Sequence, residues 1–417
     1  MFERSIEATT GIPWLLALRS ALFDPRRTWH SGEMAHPIYF DYNATTPLAP
    51  EVREAMDPWL DSIPTNPGAV HSFGRAARAA VEQAREQVAD LCGGGDVIFT
   101  SGGTEADNLA LSCRLGWPPR GHVVVSDIEH PAVLAACASL AALGVEISTL
   151  SPCDQGRVCA EDLESAIRED TRIVSVQAAN NETGTVQPVA ELAAVAERHG
   201  VPLHTDAVQA ASWFNLPELL GGASMISLAG HKIAGPTGVG ALVLRTPMEV
   251  QPTLHGGGQQ RARRPGTEPT ALLVGFGAAC ERASRERVEQ AERVGVLARE
   301  LVGMLKTRIP EVRITVTEAD RMPNTVHVAF PDCPADLLVA RADLDGLAIS
   351  AGSACASGLS HGSHVLAALG VPARYRDGAV RISLGYGSTR EEVEGAALIL
   401  AASVDAVRYA TPDVAPA

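Results

Sequence analysis

From about residue 95 onward the chain alternates short β-rich runs with helical stretches, and no other feature restricts its fold as much. "DVIFTS", "HVVVSD", "VEISTL", "RIVSVQAAN", "VPLHTD", "MISLA" and "VGALVLR" read as seven strands. "AVLAACASLAAL", "EDLESAIRED" and "PVAELAAVAERHG" read as helices between them. Strands separated by helices need crossover connections, so their sheet is mostly parallel. A long helical stretch over 269–308 follows. Beyond it "RITVTEAD", "NTVHVAF", "AISAGSACASG" and "AVRISLG" alternate with helices in a smaller α+β unit. The expectation is an α/β chain with a large domain over 50–295, a small domain built from 37–49 and 296–410, and an N-terminal extension over 1–36.

A chain of 417 residues has room for two cores. With 49 acids against 34 Lys plus Arg, its net charge of −15 argues against direct nucleic-acid binding unless basic residues cluster. The one cluster is "RARR" at 261–264. The eight cysteines form no CxxC pair, and their spacing fits neither a zinc site nor a disulfide framework. They are expected as free thiols, mostly core filler, in a reducing cytoplasm. The run "GIPWLLALRSALF" reads as a short amphipathic helix, broken by Arg19 and too short to span a bilayer. Residues 1–33 are either an ordered extension or sequence ahead of a true start at Met34. A Pro/Ala tail after 410 is expected to fray.

The chemistry sits at strand ends. Asp206 closes the apolar run "VPLHTD", and Lys232 follows "MISLAGH" beside a Gly-rich turn. Open α/β sheets place their ligands at such ends. A lysine there loses its proton more easily when partly desolvated, and a neutral amine is the nucleophile that captures a carbonyl. An aspartate nearby suits the pyridinium nitrogen of pyridoxal phosphate. Taken singly, Asp206 also reads as a helix cap and Lys232 as a surface charge. "TSGGTEADNLAL" runs a strand into a Gly-rich turn and a helix, where the N–H groups of Gly103 and Thr104 and the Thr104 hydroxyl suit a phosphate. His130 in "DIEHPAVL" suits stacking on a flat cofactor and proton relay, or simply bonding to the helix backbone. Asn181 in "AANNETGTVQ" suits a substrate carboxylate or a cofactor oxygen. Arg381 in "AVRISLG" suits a carboxylate too, or a structural ion pair.

The ordered set "DYNATTP", "TSGGTEADNLAL", "EHPAV", "NNETGTVQP", "HTDAVQ", "GHKIAGPTGVGAL", "HGGGQQRARRPGTEP" and "GSACASG" resembles the cysteine desulfurases of the class V aminotransferase type, over about 37–404. The resemblance implies a fold-type I pyridoxal phosphate enzyme that converts L-cysteine to L-alanine, acts as a homodimer and hands sulfur to an acceptor protein. It implies that Lys232 carries the cofactor, Asp206 pairs with its ring nitrogen, Gln209 bonds its phenolic oxygen and His130 stacks on its ring and serves as a base for the incoming thiol. Thr104 and His231 would hold the phosphate, joined by Thr267 of a second copy. Asn181 and Arg381 would bind the substrate carboxylate, and Cys355 would take the sulfur as a persulfide.

The surroundings of Cys355 suit that last duty. Gly352, Ser353, Ala354, Ser357 and Gly358 give the chain freedom to swing, and "AGSACASGLSHGSHVL" resembles the long-loop subtype of the family. Cys355 also reads as a small buried residue. Selenocysteine lyase, C–S lyase and a non-catalytic sulfur-relay partner are the competing functions. Two departures stand out. Ala229 in "LAGHK" occupies a place where the family usually has Ser, so one phosphate contact is expected to be missing. "SGLSHGS" also lacks the acidic residues frequent in that loop.

Overall fold

The computed structural model describes residues 37–60, 64, 66–153, 156–316, 320–352 and 362–410. The expected N-terminal helix, the C-terminal tail and Cys355 lie outside these residues. Ile38–Ala417 forms one compact unit.

All seven expected strands join one sheet. They are β2 (Asp96–Thr100), β3 (His122–Ser126), β4 (Glu146–Leu150), β5 (Thr171–Ser175), β6 (Leu203–Asp206), β7 (Met225–Ala229) and β8 (Gly240–Leu244), in the order β2-β8-β7-β6-β5-β3-β4. β1 is the short strand Ile38–Tyr39. The pairs from β7 through β4 are parallel, and β8 runs antiparallel to both its neighbours. The exception has a local cause. Only a three-residue 3-10 turn, Gly230–Lys232, and a Gly/Pro-rich stretch separate β7 from β8. With no helix to carry the chain across the sheet, β8 returns beside β7 with Ala229 opposite Gly240. Position 240 must be glycine, because a Cβ there would lie 2.6 Å from the Gly102 carbonyl carbon. That close approach brings the start of β8 against the turn after β2.

The second sheet holds β9 (Arg313–Ile314), β10 (Thr325–Ala329), β12 (Ser350–Ala351) and β13 (Ala379–Ser383), in the order β12-β13-β10-β9, all antiparallel. β1 pairs in parallel with β11 (Leu347–Ala348). The 39-residue helix Thr270–Arg308 serves both sheets. Its first half puts Leu273, Phe276 and Ala279 into the core of the large sheet. Its second half puts Val294, Leu297, Leu301 and Leu305 into the core of the small one. Each such side chain, fully buried, contributes about 1.5–3 kcal/mol, so this helix links the stability of the two cores.

One cysteine expectation is overturned. Cys153 and Cys159 form a disulfide. The chain turns between them, with Cys153 N–H donating to the Arg157 carbonyl at 2.8 Å, and the two Cα atoms come within 6.4 Å. Spacing in sequence carries no trace of that turn. Cys92, Cys113, Cys137, Cys280 and Cys333 are unpaired and buried, as core filler should be. None of the described helices is long and apolar enough to cross a membrane.

Candidate active site

The floor of the site is the C-terminal edge of the large sheet. Asp206 ends β6, buried on a strand with no exposed face. Its Oδ1 accepts the Val208 N–H at 2.9 Å. Burial raises its pKa, while His130 and Lys232 pull the other way. Lys232 stands three residues beyond β7. Its Nζ donates to the backbone carbonyls of Asn43 at 2.5 Å and Ala44 at 2.8 Å. Gln209 Nε2 donates to the same Asn43 carbonyl at 3.0 Å. Lys232, Gln209 and Asn43 line one cavity with Trp213 and Tyr386.

His130 is held as a helix cap. Its Nδ1 accepts the Ala132 N–H at 3.1 Å, at the start of the helix Pro131–Ala142. Burial lowers its pKa, so the ring is neutral near pH 7. A neutral imidazole that accepts at Nδ1 carries its proton on Nε2. The free nitrogen is therefore a donor.

Beneath this floor lies a layer of buried acids. Glu129 is fully buried and its pKa is pushed up to about 8 by burial. Its Oε1 accepts from Ser126 Oγ and from Gln177 N, and its Oε2 has no hydrogen-bond partner among the described residues. Asp107 Oδ1 lies 3.6 Å from His204 Nε2. Burial and the nearby Asp206 push Asp107 well up, and burial drives His204 down to about 3. His204 is thus neutral at neutral pH. His204 is bonded on both sides, to Ser175 Oγ at 2.9 Å and Ser227 Oγ at 2.8 Å.

One end of the floor is open to an anion. The helix Gly103–Ser112 starts at Gly102 without a side-chain cap, so the N–H groups of its first turn face outward together. Thr104 is exposed there. A Cβ on Gly103 would lie 3.7 Å from Ala229 Cβ, which puts Ala229 directly beside the helix start. His231 Nδ1 lies 3.2 Å from Thr45 Oγ1, and burial lowers its pKa to about 4. Arg264 grips Glu105 of the same helix turn with two bonds, at 2.8 and 3.1 Å. Thr267 lies exposed three residues further on, and no hydrogen bond joins it to the other candidates among the described residues.

The facing wall comes from distant stretches. Arg381, on β13, is 3% exposed. Its Nη2 pairs with Asp41 Oδ1 at 2.7 Å and its Nη1 donates to the Asn181 carbonyl at 3.0 Å. Its Nε has no partner among the described residues. Arg381 thus has the structural ion pair weighed in the sequence, and it also touches Asn181. Asn43 joins wall to floor. Its Nδ2 donates to Thr325 Oγ1 at 2.9 Å and to the Asn181 carbonyl at 3.2 Å, and its Oδ1 accepts from Asn324 Nδ2 at 2.8 Å.

The structure therefore gathers Lys232, Asp206, Gln209 and His130 on the floor, with Gly103 and Thr104 at its open end, His231 against Thr45, and Asn181 with Arg381 on the wall. Sequence reasoning missed Asn43, Asp41, Asp107 and Glu129. Each lies inside a stretch whose importance was visible, but each acts through contacts with residues far away in sequence.

The aminotransferase class-V family model matches residues 38–395. The cysteine desulfurase of Cereibacter sphaeroides is 41% identical over 392 residues, covering 90% of this chain and 97% of its own. The cysteine desulfurase IscS of Dictyoglomus turgidum is 38% identical over 385 residues, covering 91% and 97%. A solved NifS-like protein superposes with a TM-score of 0.82 at 32% identity, over 89% of this chain and all of that one. The chain belongs to the cysteine desulfurase family of class-V aminotransferases.

Proposed function

We propose that this enzyme is a pyridoxal phosphate-dependent cysteine desulfurase that moves the sulfur of L-cysteine onto Cys355. The observation that carries the reading is the placement of Asp206 and Lys232 at the ends of adjacent strands, beside a helix start with no cap of its own.

The residues fit the cofactor. The open helix start with Thr104 and His231 suits a dianionic phosphate. Asp206 is a buried acid whose charge is stabilised by a cation beside it, and a protonated ring nitrogen is such a cation. Gln209 Nε2 suits the phenolic oxygen, and His130 suits the ring face. Bound pyridoxal phosphate supplies an electrophilic carbon for the substrate amine and a ring that takes up the electrons released at Cα.

The chain's own residues do the rest. Asn181 and Arg381 hold the substrate carboxylate, which competes with Asp41 for the guanidinium. Lys232 Nζ removes the Cα proton and returns one. His130 donates from Nε2 and steadies negative charge next to it. Acting as a base for the substrate thiol would require it to give up its cap on Ala132, so proton removal falls to Lys232. The Cys355 thiolate then attacks the substrate sulfur, the Cβ–S bond breaks with its electron pair going to Cβ, Cβ takes up a proton, alanine leaves and Cys355 keeps the added sulfur as a persulfide. A sulfur-acceptor protein takes it from there. We place the enzyme in the cytoplasm as a homodimer in which Thr267 serves the phosphate of the second copy. Its exposed position supports that assignment.

The test is incubation with L-cysteine, followed by measurement of released alanine and mass spectrometry of the Cys355 peptide. Alanine plus one added sulfur, both lost in Lys232→Ala, with the sulfur absent in Cys355→Ser, is the expected result. Pyruvate, or alanine that persists in Cys355→Ser with no sulfur on the peptide, would move the enzyme to the lyases.

A further inference from the structure

The carboxyl of Glu182 sits where three separate stretches of chain meet. Glu182 follows Asn181 and is 5% exposed. The Asn180 side chain braces this turn, with Oδ1 accepting the N–H groups of Glu182 and Thr183 at 2.9 Å each. Glu182 Oε2 accepts the Ser363 hydroxyl at 2.5 Å. Ser363 Oγ in turn accepts the Leu366 N–H at 3.1 Å and caps the helix His364–Ala368. The next residue, His364, puts Nε2 3.0 Å from the Glu129 carbonyl. Ser363 and His364 are therefore tied to the Asn181 loop and to the His130 loop.

The same carboxyl oxygen faces Gly352. A Cβ on Gly352 would lie 3.4 Å from Glu182 Oε2 and 3.3 Å from His327 Nε2. His327 is buried on β10, with Nδ1 bonded to Thr315 Oγ1 at 2.7 Å and Nε2 without a partner among the described residues. Gly352 precedes Cys355 in sequence and Ser363 follows it. Burying an ionisable carboxyl is unfavourable, and burial pushes Glu182 up to about 7 against the pull of Ser363 and Arg381.

We propose that Glu182 is a positioning residue for sulfur transfer: through Ser363 it fixes the flank that follows Cys355 against the loop that carries Asn181, and it packs beside Gly352 on the flank that precedes it. This rests on the desulfurase reading. It adds a second duty to the turn "NNETG", whose asparagine faces the substrate carboxylate.

The experiment uses the pyridoxal phosphate-loaded full-length enzyme and compares Glu182→Ala, Glu182→Gln and Ser363→Ala with wild type. Three quantities are read: the single-turnover rate of sulfur appearance on the Cys355 peptide, KM for L-cysteine with bound-cofactor content, and amide exchange of the peptide containing Leu366. Loss of a hydrogen bond to a charged acceptor corresponds to about a tenfold effect or more. Glu182→Ala is expected to slow sulfur loading by at least that factor with KM within about threefold of wild type, unchanged cofactor content and faster exchange at Leu366. Ser363→Ala is expected to follow it. Glu182→Gln, which still accepts from Ser363, is expected to recover most of the rate. Sulfur loading within twofold of wild type in Glu182→Ala overturns the proposal. So does a loss that matches a fall in cofactor content, which marks a general structural role. If wild type itself loads no sulfur on Cys355, the desulfurase reading fails first, and the exchange measurement still reports whether Glu182 holds Ser363.

Discussion

The floor and the wall of the site are built in opposite ways. The floor hangs on the ends of adjacent strands, β6 and β7, and two of its groups are placed by the few residues around them, while Lys232 and Gln209 reach the Asn43 carbonyl. Asp206 is set by β6 and the Val208 N–H, and His130 by the Ala132 N–H two residues away. The wall is placed by contacts that span the chain. Asn43 reaches Thr325 across 282 positions, and Arg381 reaches Asp41 across 340. The floor also stores unfavourable burial in Asp206, Asp107 and Glu129, whereas the wall stores favourable hydrogen bonds. Chemistry and stability are therefore expected to respond to opposite substitutions.

The largest effect on stability belongs to the floor and depends on pH. A carboxyl held near 8 in the fold, against an ordinary 4.5, stays protonated on folding while the unfolded chain ionises. Any stability linked to that proton is fully present below about 4.5 and is lost as pH rises toward about 8. The loss amounts to about 5 kcal/mol at most. Glu129→Gln keeps an oxygen for Ser126 and Gln177 and cannot ionise. Its melting temperature should match wild type near pH 4 and exceed it increasingly up to pH 8. A difference that shrinks over that range would mean that Glu129 is ionised in the fold. Glu182, held up to about 7 by burial, adds to the same slope and leaves part of it in the variant.

Asp206→Asn separates chemistry from stability. The amide oxygen still accepts the Val208 N–H, and a buried charge disappears. Activity should fall by roughly a hundredfold to a thousandfold, measured as alanine release at saturating L-cysteine. The cofactor-stripped protein should melt no lower than wild type. A large drop in melting temperature would make the floor a structural element and break the contrast.

Asn43→Ala tests the wall. It removes bonds to Thr325, Asn324 and Asn181 at once. Denaturant unfolding should show a loss of about 2–3 kcal/mol, and KM for L-cysteine should rise because the Asn181 turn loses its anchor. A stable variant with normal KM would show that the backbone of this segment suffices to hold Lys232 and Asn181.

The same division explains what was legible in the sequence. Periodicity gave the seven strands, and with them the positions of Asp206 and Lys232, because both depend on local pattern. The antiparallel turn of β8 had a visible cause in "GHKIAGPTGVG", a connection too short for a helix. Position 130 was legible as a histidine at the strand ends, but the protonated nitrogen was not, since that depends on the helix cap. Asn43, Glu129 and Glu182 stood inside quoted motifs and gave no signal of their own. They bond to Gln177, Ser363 and Thr325, 48 to 282 positions away, and no pattern in a single sequence encodes a pairing at that distance. The Cys153–Cys159 bond was missed for the same reason on a smaller scale: a turn of the backbone, not a spacing, brings the two together.

The smallest effect concerns Ala229, at the one place where floor chemistry and local packing meet. Ala229 is 3% exposed and lies beside Gly103 at the open helix start. A hydroxyl there would face the phosphate when cofactor is bound and would face buried backbone when it is not. Ala229→Ser should therefore act with opposite sign on the two forms. The cofactor-stripped protein should lose about 1 kcal/mol from a buried hydroxyl without a full partner. The loaded enzyme should release pyridoxal phosphate about tenfold more slowly, since one added charge-assisted bond is worth that factor or more. Dialysis against a competing amine, with cofactor followed by its absorbance, reads the second quantity, and thermal melting of the stripped protein reads the first. If release is unchanged while the stripped protein is destabilised, the hydroxyl points away from the helix start and the phosphate lies elsewhere. If both forms are stabilised, position 229 packs against protein in either state, and the open end of the floor is less open than its uncapped helix indicates.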